Sequence, residues 1–220
     1  MTPSPVAVVF DLDDTLAVTA RRRQQLLDEA TAHVGSTDID RGAYLQAHGS
    51  VDATDTRAPI FERLLDEDAT VTPTALAAAY RDAIEEALEP IPNAVDLVEA
   101  LRREYRVGLL TDGPRVAQRG KLVELGWEEL FDAVVITGEL QAGKPDPRAF
   151  AAVCDALEVG PEEAVFVGDR PEVDIAGAAA AGFRTIQVLT PENPNRHPRA
   201  DAAVDRENLV ERLPDLLHSA

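Results

Sequence analysis

Short apolar runs set off by polar turns recur along the 220-residue chain. Val6-Ala-Val-Val-Phe10, Val107-Gly-Leu-Leu110, Ala133-Val-Val-Ile136, Ala164-Val-Phe-Val167 and Thr185-Ile-Gln-Val188 have the length and composition of buried strands. Between most of them, apolar residues return at helical spacing: Val95–Tyr105, Val116–Leu125, Pro147–Leu157 and Ile175–Ala181. Pro147 and Gly160 read as the opening proline and closing glycine of one such helix. Strand alternating with helix predicts an α/β fold, a parallel sheet with helices on both faces. After a loop over Thr190–Pro198, Asp201–Leu217 supplies one more strand-helix unit.

One interval breaks the alternation. Residues 17–90 show no strand pattern and read as helices over Arg21–His33, around Tyr44, over Ile60–Asp66 and over Thr74–Glu89, closed by Pro90-Ile-Pro92. This predicts a small all-helical domain, 17–90, inserted after the first strand, with 1–16 and 91–220 forming the sheet domain.

Composition narrows the setting. With 45% hydrophobic and 28% charged residues the chain can bury a sizeable core, yet no apolar run nears the roughly 18–20 residues of a membrane span. Met1 to Phe10 lacks the basic flank of a signal peptide, and Cys154, the single cysteine, sits with Phe150, Val153 and Leu157 at helical spacing as a buried thiol. A cytoplasmic protein without a membrane partner is expected. The 40 acidic against 21 basic residues, formally −19, disfavour nucleic acid as a partner. Lys121 and Lys144 are the only lysines. An acidic, lysine-poor chain of this kind resembles proteins of salt-loaded, halophilic cytoplasm, where screening tolerates the self-repulsion.

Candidate chemistry gathers where strands end. Asp11 follows the first strand at its carboxyl edge, where open α/β sheets place ligands, and begins Asp11-Leu-Asp-Asp-Thr15. Asp11 and Asp13 are two residues apart and, on an extended chain, point to one side. Two carboxylates so placed repel each other unless a cation or a shared proton lies between them, and Mg2+, a hard ion that binds beside phosphate, fits. An Asp-x-Asp alone is more often an acidic turn. Three further elements join it at later strand ends: Thr111-Asp-Gly113, a hydroxyl with turn N–H groups suited to phosphate oxygens; Lys144 in Gly143-Lys-Pro-Asp-Pro147; and Asp169 with Asp174 in Gly168-Asp-Arg-Pro-Glu-Val-Asp174. Each alone has an ordinary structural reading, but four at one sheet edge do not.

In this order the motifs resemble those of the haloacid dehalogenase superfamily over nearly the whole chain, the helical insertion resembling that family's cap domain on a Rossmann-like core. The stretch Leu109–Glu139 is similar to the branch of nucleotidases and acyl-sugar-phosphate phosphatases, with Asp112 where that branch commonly has asparagine. The resemblance implies a magnesium-dependent phosphatase that acts on a small phosphorylated metabolite through an aspartyl-phosphate. Asp11 is then the nucleophile and Asp13 the general acid/base. Thr111, Asp112, Gly113 and Lys144 bind the phosphoryl group, with Thr111 and Lys144 stabilising its charge. Asp11, Asp13 (through its backbone carbonyl), Asp169 and Asp174 hold the metal.

Rival readings separate on the same residues. Asp13 argues against a dehalogenase, whose leaving group needs no proton, and the absence of lysine from 17–90 argues against phosphonate cleavage by a Schiff base. A sugar-phosphate mutase on the same core remains open. A non-enzymatic phosphoacceptor module fits less well, because its acceptor follows a middle strand and its lysine comes last. Gly138-Glu-Leu-Gln-Ala-Gly-Lys-Pro145 fails as a nucleotide-binding loop, since Pro145 stands where the metal-binding hydroxyl is required. His33, His48, His197 and His218 lack ligand spacing, and Trp127 with Phe131 is expected to pack beside the strand at 133–136. Arg21, Arg22, Arg57 and Arg63 have the reach to meet a substrate's distal group, but such arginines more often balance a solvated acidic face, and that is the expectation here. Phosphoglycolate, a sugar phosphate and a nucleotide monophosphate are equally compatible substrates, and the sequence carries no sign of oligomeric state.

Overall fold

A computed structural model describes residues 5–51, 55–66, 69–140 and 142–219. The chain opens with β1 (Ala7–Phe10) and β2 (Ala17–Thr19), then passes through α1 (Arg23–Val34), α2 (Arg41–His48), α3 (Ala58–Glu62), α4 (Pro73–Glu86) and β3 (Leu88–Pro90). It continues through α5 (Ala94–Leu101), β4 (Arg106–Thr111), α6 (Arg115–Leu125), β5 (Ala133–Ile136), α7 (Pro147–Leu157) and β6 (Ala164–Gly168). The last elements are α8 (Ala176–Ala181), β7 (Arg184–Leu189), β8 (Ala202–Asp205) and α9 (Leu209–Ser219).

Six strands form one parallel sheet in the order β5-β4-β1-β6-β7-β8. Alternation along each strand divides its side chains between two cores. Val8 and Phe10 of β1, with Val165 and Val167 of β6, pack under Leu97 and Val98 of α5, Leu122 of α6 and Leu213 of α9. Ala7, Val9 and Phe166 point the other way, under Phe150 and Val153 of α7 and Ala178 of α8. Helices therefore cover both faces, as the strand–helix alternation predicts. Because β1 is central, with β4 on one side and β6 on the other, the chain leaves it at the switch point of the sheet, where α/β folds open a crevice. Trp127 and Phe131 pack edge to face, 6.4 Å between centroids, and Cys154 is buried, its thiol pushed up to about 11 by that burial.

The helices between β2 and β3 have a hydrophobic cluster of their own. Leu26, Leu27, Tyr44, Phe61, Leu76 and Tyr80 are among its members. Two of these helices, α2 and α4, are started by local chemistry: the Asp40 carboxylate accepts from the Ala43 N–H and the Thr72 hydroxyl from the Ala75 N–H, with Pro73 opening α4.

Two expectations are corrected. Residues 17–90 do contain strands, since Ala17–Thr19 and Leu88–Pro90 pair antiparallel where the chain leaves the sheet domain and where it returns. Three residues are too few to show a period of two, so nothing in the local pattern marks them. Pro147 opens α7 as expected, but Gly160 does not close it. Glu158 takes the left-handed C-cap position at φ 56°, and Gly160 has an ordinary φ of −78°.

Candidate active site

The first motif leaves the sheet abruptly. The Asp11 N–H still donates to the Val167 carbonyl (2.9 Å), which holds it at the sheet edge. The chain then folds into a tight turn, with Leu16 and Ala17 N–H groups both donating to the Leu12 carbonyl at 3.0 Å and Asp14 at φ 60°. An extended run would send the carboxylates of Asp11 and Asp13 the same way. The turn gives them separate partners, although both line one cleft.

Asp11 belongs to a buried carboxylate cluster. One oxygen each from Asp11, Asp169 and Asp174 lies within 4.8 Å of the others. Gly168 permits this, because a Cβ there would meet Asp174 at 2.8 Å. Lys144 Nζ bridges Asp11 (2.6 Å) and Asp174 (2.8 Å) and donates to the Leu110 carbonyl at 3.1 Å. Burial pushes Asp11 up to about 7 against the pull of Lys144, with Asp174 adding repulsion. Burial together with Asp11 and Asp174 pushes Asp169 up to about 8. Asp174 is buried as deeply, but Lys144 and Arg170 outweigh that burial and hold it below the ordinary carboxylate range. Asp169 Oδ1 is buried with no hydrogen-bond partner. Three buried carboxylates this close, one with an unpartnered oxygen, form a group that could hold a metal ion.

Asp13 stands apart from that cluster. Lys121 Nζ reaches its two oxygens at 2.6 and 2.5 Å, Arg23 one of them at 3.0 Å, and Gln118 Nε2 the other at 3.1 Å. Burial works to raise Asp13, but Lys121 and Arg23 overcome it and hold the carboxylate well below its usual range. Gln118 Nε2 also donates to the Thr111 hydroxyl (2.7 Å) and to the Asp112 carbonyl, so one amide ties the first and second motifs together. The Asp112 carboxylate accepts from the Lys144 N–H (3.0 Å) and from Arg170 (2.6 Å), which fixes the lysine loop. Gly113, at φ 139°, donates its N–H to the Thr137 hydroxyl at 3.2 Å. Of the turn foreseen as a phosphate cradle, that one donor therefore has an internal partner.

All eight residues of the four motifs thus converge on one sheet edge, and four others join them that motif reading alone does not reach. Lys121, Gln118 and Arg170 are held by partners distant in sequence, and Arg23 by Asp13 ten positions before it. A faint signal existed for two of them. Gln118 and Lys121 share the buried face of α6 with Ala117 and Leu122, where a polar pair is out of place. A cleft of about 890 Å³ opens above this edge, walled on the far side by Arg41, Tyr44, His48, Arg57 and Tyr80 of the helical unit.

Residues 6–182 match the family model of the haloacid dehalogenase-like hydrolases. The chain belongs to this family. Among relatives of this family member, a glyceraldehyde 3-phosphate phosphatase of Methanopyrus kandleri is 33% identical over 89% of the chain and 88% of its own length. A phosphoserine phosphatase of Thermus thermophilus is 47% identical over 46% of the chain, and the match spans only 42% of that protein. An HAD phosphatase from Thermococcus onnurineus superposes with a TM-score of 0.68 at 26% identity, covering 96% of this chain and 97% of the other. This family member is accordingly a phosphoric monoester hydrolase. Among its described residues, no helix is long and apolar enough to cross a membrane.

Proposed function

We propose that the enzyme is a magnesium-dependent phosphatase that hydrolyses a small phosphomonoester through an aspartyl-phosphate on Asp11. The observation that carries this reading is the Asp11–Asp169–Asp174 cluster, charge-starved at one point and bridged by Lys144. Asp11, Asp169 and Asp174, with the Asp13 carbonyl, are the groups that would hold Mg2+. Once bound, the ion would neutralise the cluster and draw charge from the phosphoryl oxygens. The phosphatase relatives support the same reaction class.

The chain's own residues then divide the work. Asp11, kept ionised once positive charge is restored, attacks phosphorus and takes the phosphoryl group. Lys144, locked between two carboxylates, presents a fixed positive charge where the phosphoryl oxygens gather it, and the Thr111 hydroxyl, oriented by Gln118, adds a donor. Asp13 serves the leaving oxygen and the attacking water. Its pairing with Lys121 and Arg23 leaves it ionised, the form that accepts a proton from water. To deliver a proton to the leaving oxygen it must first be released from one of these cations. Arg23 stands at the start of α1, so movement of the helical unit would free it. We read residues 17–90 as a cap that closes over the cleft and excludes water.

Lys121→Met is the check on this division. Losing the buried ammonium removes the contacts that fix the Asp13 carboxylate in place and lets its pKa drift upward, and kcat is expected to fall about 10²-fold with KM nearly constant. The alkaline limb of the kcat profile, if Lys121 sets it, should also disappear. An unchanged pH profile with unchanged kcat would remove Lys121 from the acid/base machinery.

The function itself is tested by phosphate release from a panel of phosphomonoesters, with Mg2+ and with EDTA, at low and multimolar KCl. Release that depends on Mg2+ is expected, and activity that rises with KCl would support a halophilic origin. Folded protein that releases no phosphate under any condition contradicts the phosphatase reading.

A further inference from the structure

The cleft is basic in a protein that is strongly acidic. Seven arginines and Lys121 line it, against five aspartates and Glu192, whereas the whole chain carries −19. Most of these arginines have carboxylate partners. Arg21 pairs with Glu29 (2.9 Å) and Glu86 (3.3 Å), Arg23 with Asp13, Arg170 with Asp112, and Arg206 with Asp14 at 3.5 Å. Arg22 is exposed beside the first turn of α1. Arg41 and Arg57 differ, for both are half-buried and, among the described residues, neither has a carboxylate partner.

Both are instead seated on aromatic rings. The Arg41 guanidinium lies 5.0 Å from the Tyr44 ring centroid and donates to the Tyr80 hydroxyl at 3.4 Å, and Arg57 lies 5.7 Å from the Tyr80 centroid. The rings are themselves buried in the cluster of the helical unit. Tyr44 and Tyr80 are 3% and 1% exposed, meet edge to face at 5.4 Å, and pack on Phe61 at 5.6 and 6.0 Å. Each guanidinium is held over a ring and by one tyrosine hydroxyl and has N–H groups beyond that bond, and a planar fork of donors is what recognises carboxylate and phosphate. Both residues lie on the cap wall, opposite the motif edge. His48, in the same cleft, is depressed by burial and then by Arg57 and Arg41, while Asp112 works to raise it. The arginine pair thus lines the same cleft as Asp112, Gly113 and Arg170 at its phosphate end.

Resting on the phosphatase reading, we propose that Arg41 and Arg57 form a second anion subsite, so that the substrate is a small phosphomonoester carrying a further anionic group. A substrate with a carboxylate or second phosphate would be repelled by the −19 of the protein as a whole. Two unpaired, preoriented guanidinium groups inside the cleft reverse that repulsion where the distal group arrives. The expected balancing of a solvated acidic face does not describe Arg57, which faces the cleft.

The experiment compares matched phosphomonoesters in the Mg2+-loaded enzyme: 3-phosphoglycerate against glycerol 3-phosphate, O-phosphoserine against O-phosphoethanolamine, and fructose 1,6-bisphosphate against fructose 6-phosphate. A charge-assisted, bidentate contact is worth roughly a 10–100-fold preference in kcat/KM for the more acidic member. The first two pairs report a carboxylate and the third a second phosphate. Arg41→Met and Arg57→Met are each expected to cut that ratio about tenfold, mainly through KM, while Arg41→Lys and Arg57→Lys retain part of it. Ratios near one in every pair, or ratios that neither Met variant changes, overturn the subsite. Phosphate release from p-nitrophenyl phosphate reports separately on the phosphatase reading. Should that release be absent from folded protein, calorimetry with 3-phosphoglycerate and glycerol 3-phosphate still decides the subsite. Tighter binding of the former, weakened by Arg57→Met, supports it, and equal binding overturns it.

Discussion

Asp11→Asn is expected to lower kcat at least about 10⁴-fold, because the amide cannot accept the phosphoryl group and no neighbouring carboxylate stands in its place. Asp169 and Asp174 are nearby, but each is carried by a different segment from Asp11, and Asp174 is locked to Lys144 at 2.8 Å. The same substitution should not unfold the protein. Asparagine keeps an oxygen for Lys144, which now sits 2.6 Å from Asp11. Its effect on stability has a definite sign. Asp11 is pushed up to about 7, so the folded protein holds a proton there that the unfolded chain loses near pH 4. Stability from that proton is present below about pH 4 and is lost as pH rises through about 7. Without metal, Asp11→Asn should therefore melt above the wild type at pH 8 and level with it at pH 4. Added Mg2+ should stabilise the wild type far more than the variant. Turnover near the wild-type rate would overturn the assignment of Asp11, and identical melting of both proteins across this pH range would contradict the burden of charge in the cluster.

Lys144→Met is expected to act on both stability and activity. The ammonium is fully buried and is the close counter-charge of Asp11 and Asp174, so its loss leaves three carboxyls within 4.8 Å with only Arg170 at the margin. Breaking a buried pair by removing one partner costs about 3–5 kcal/mol, read as a shift in the urea midpoint of the metal-free protein. The difference from wild type should be widest near neutral pH and narrow below about pH 4, where the unpaired carboxylates are protonated in both folded and unfolded chains. Activity in Mg2+ should fall about 10²–10³-fold, the usual cost of one charge-stabilising donor. A variant as stable and as active as the wild type would show that Lys144 neither braces the cluster nor faces the phosphoryl group.

These two residues were readable without coordinates, and the reason is local. A strand buried on both faces must be an apolar run, and in a parallel sheet the residue after each run emerges at the same edge. Asp11 and Asp169 follow their strands directly and Thr111 ends its own, so the sequence order of strands and polar residues already gathers them. Lys144 follows its strand by a loop and still arrives there, held by Asp112 and the Leu110 carbonyl.

Other features depend on chain segments meeting from far apart, and these leave no periodic trace. Lys121 reaches Asp13 across 108 positions, and the sequence shows only that a lysine and a glutamine sit on the apolar side of a helix. The three-residue strands β2 and β3 exist because the outgoing and returning chains hydrogen-bond to each other, which needs no particular side chains. Arg57 reads as one more surface arginine until the packing of Tyr44, Phe61 and Tyr80 turns it into the cleft. The sequence by itself determined the alternating α/β order, the sheet's polar edge and the residues that stand on it, because strand period and burial act over a few neighbouring positions. Only the tertiary structure decided which cation holds Asp13, which arginines are left without a carboxylate, and that an acidic chain encloses a basic cleft. Those are balances between charges distant in sequence, settled only by the distances at which folding leaves them.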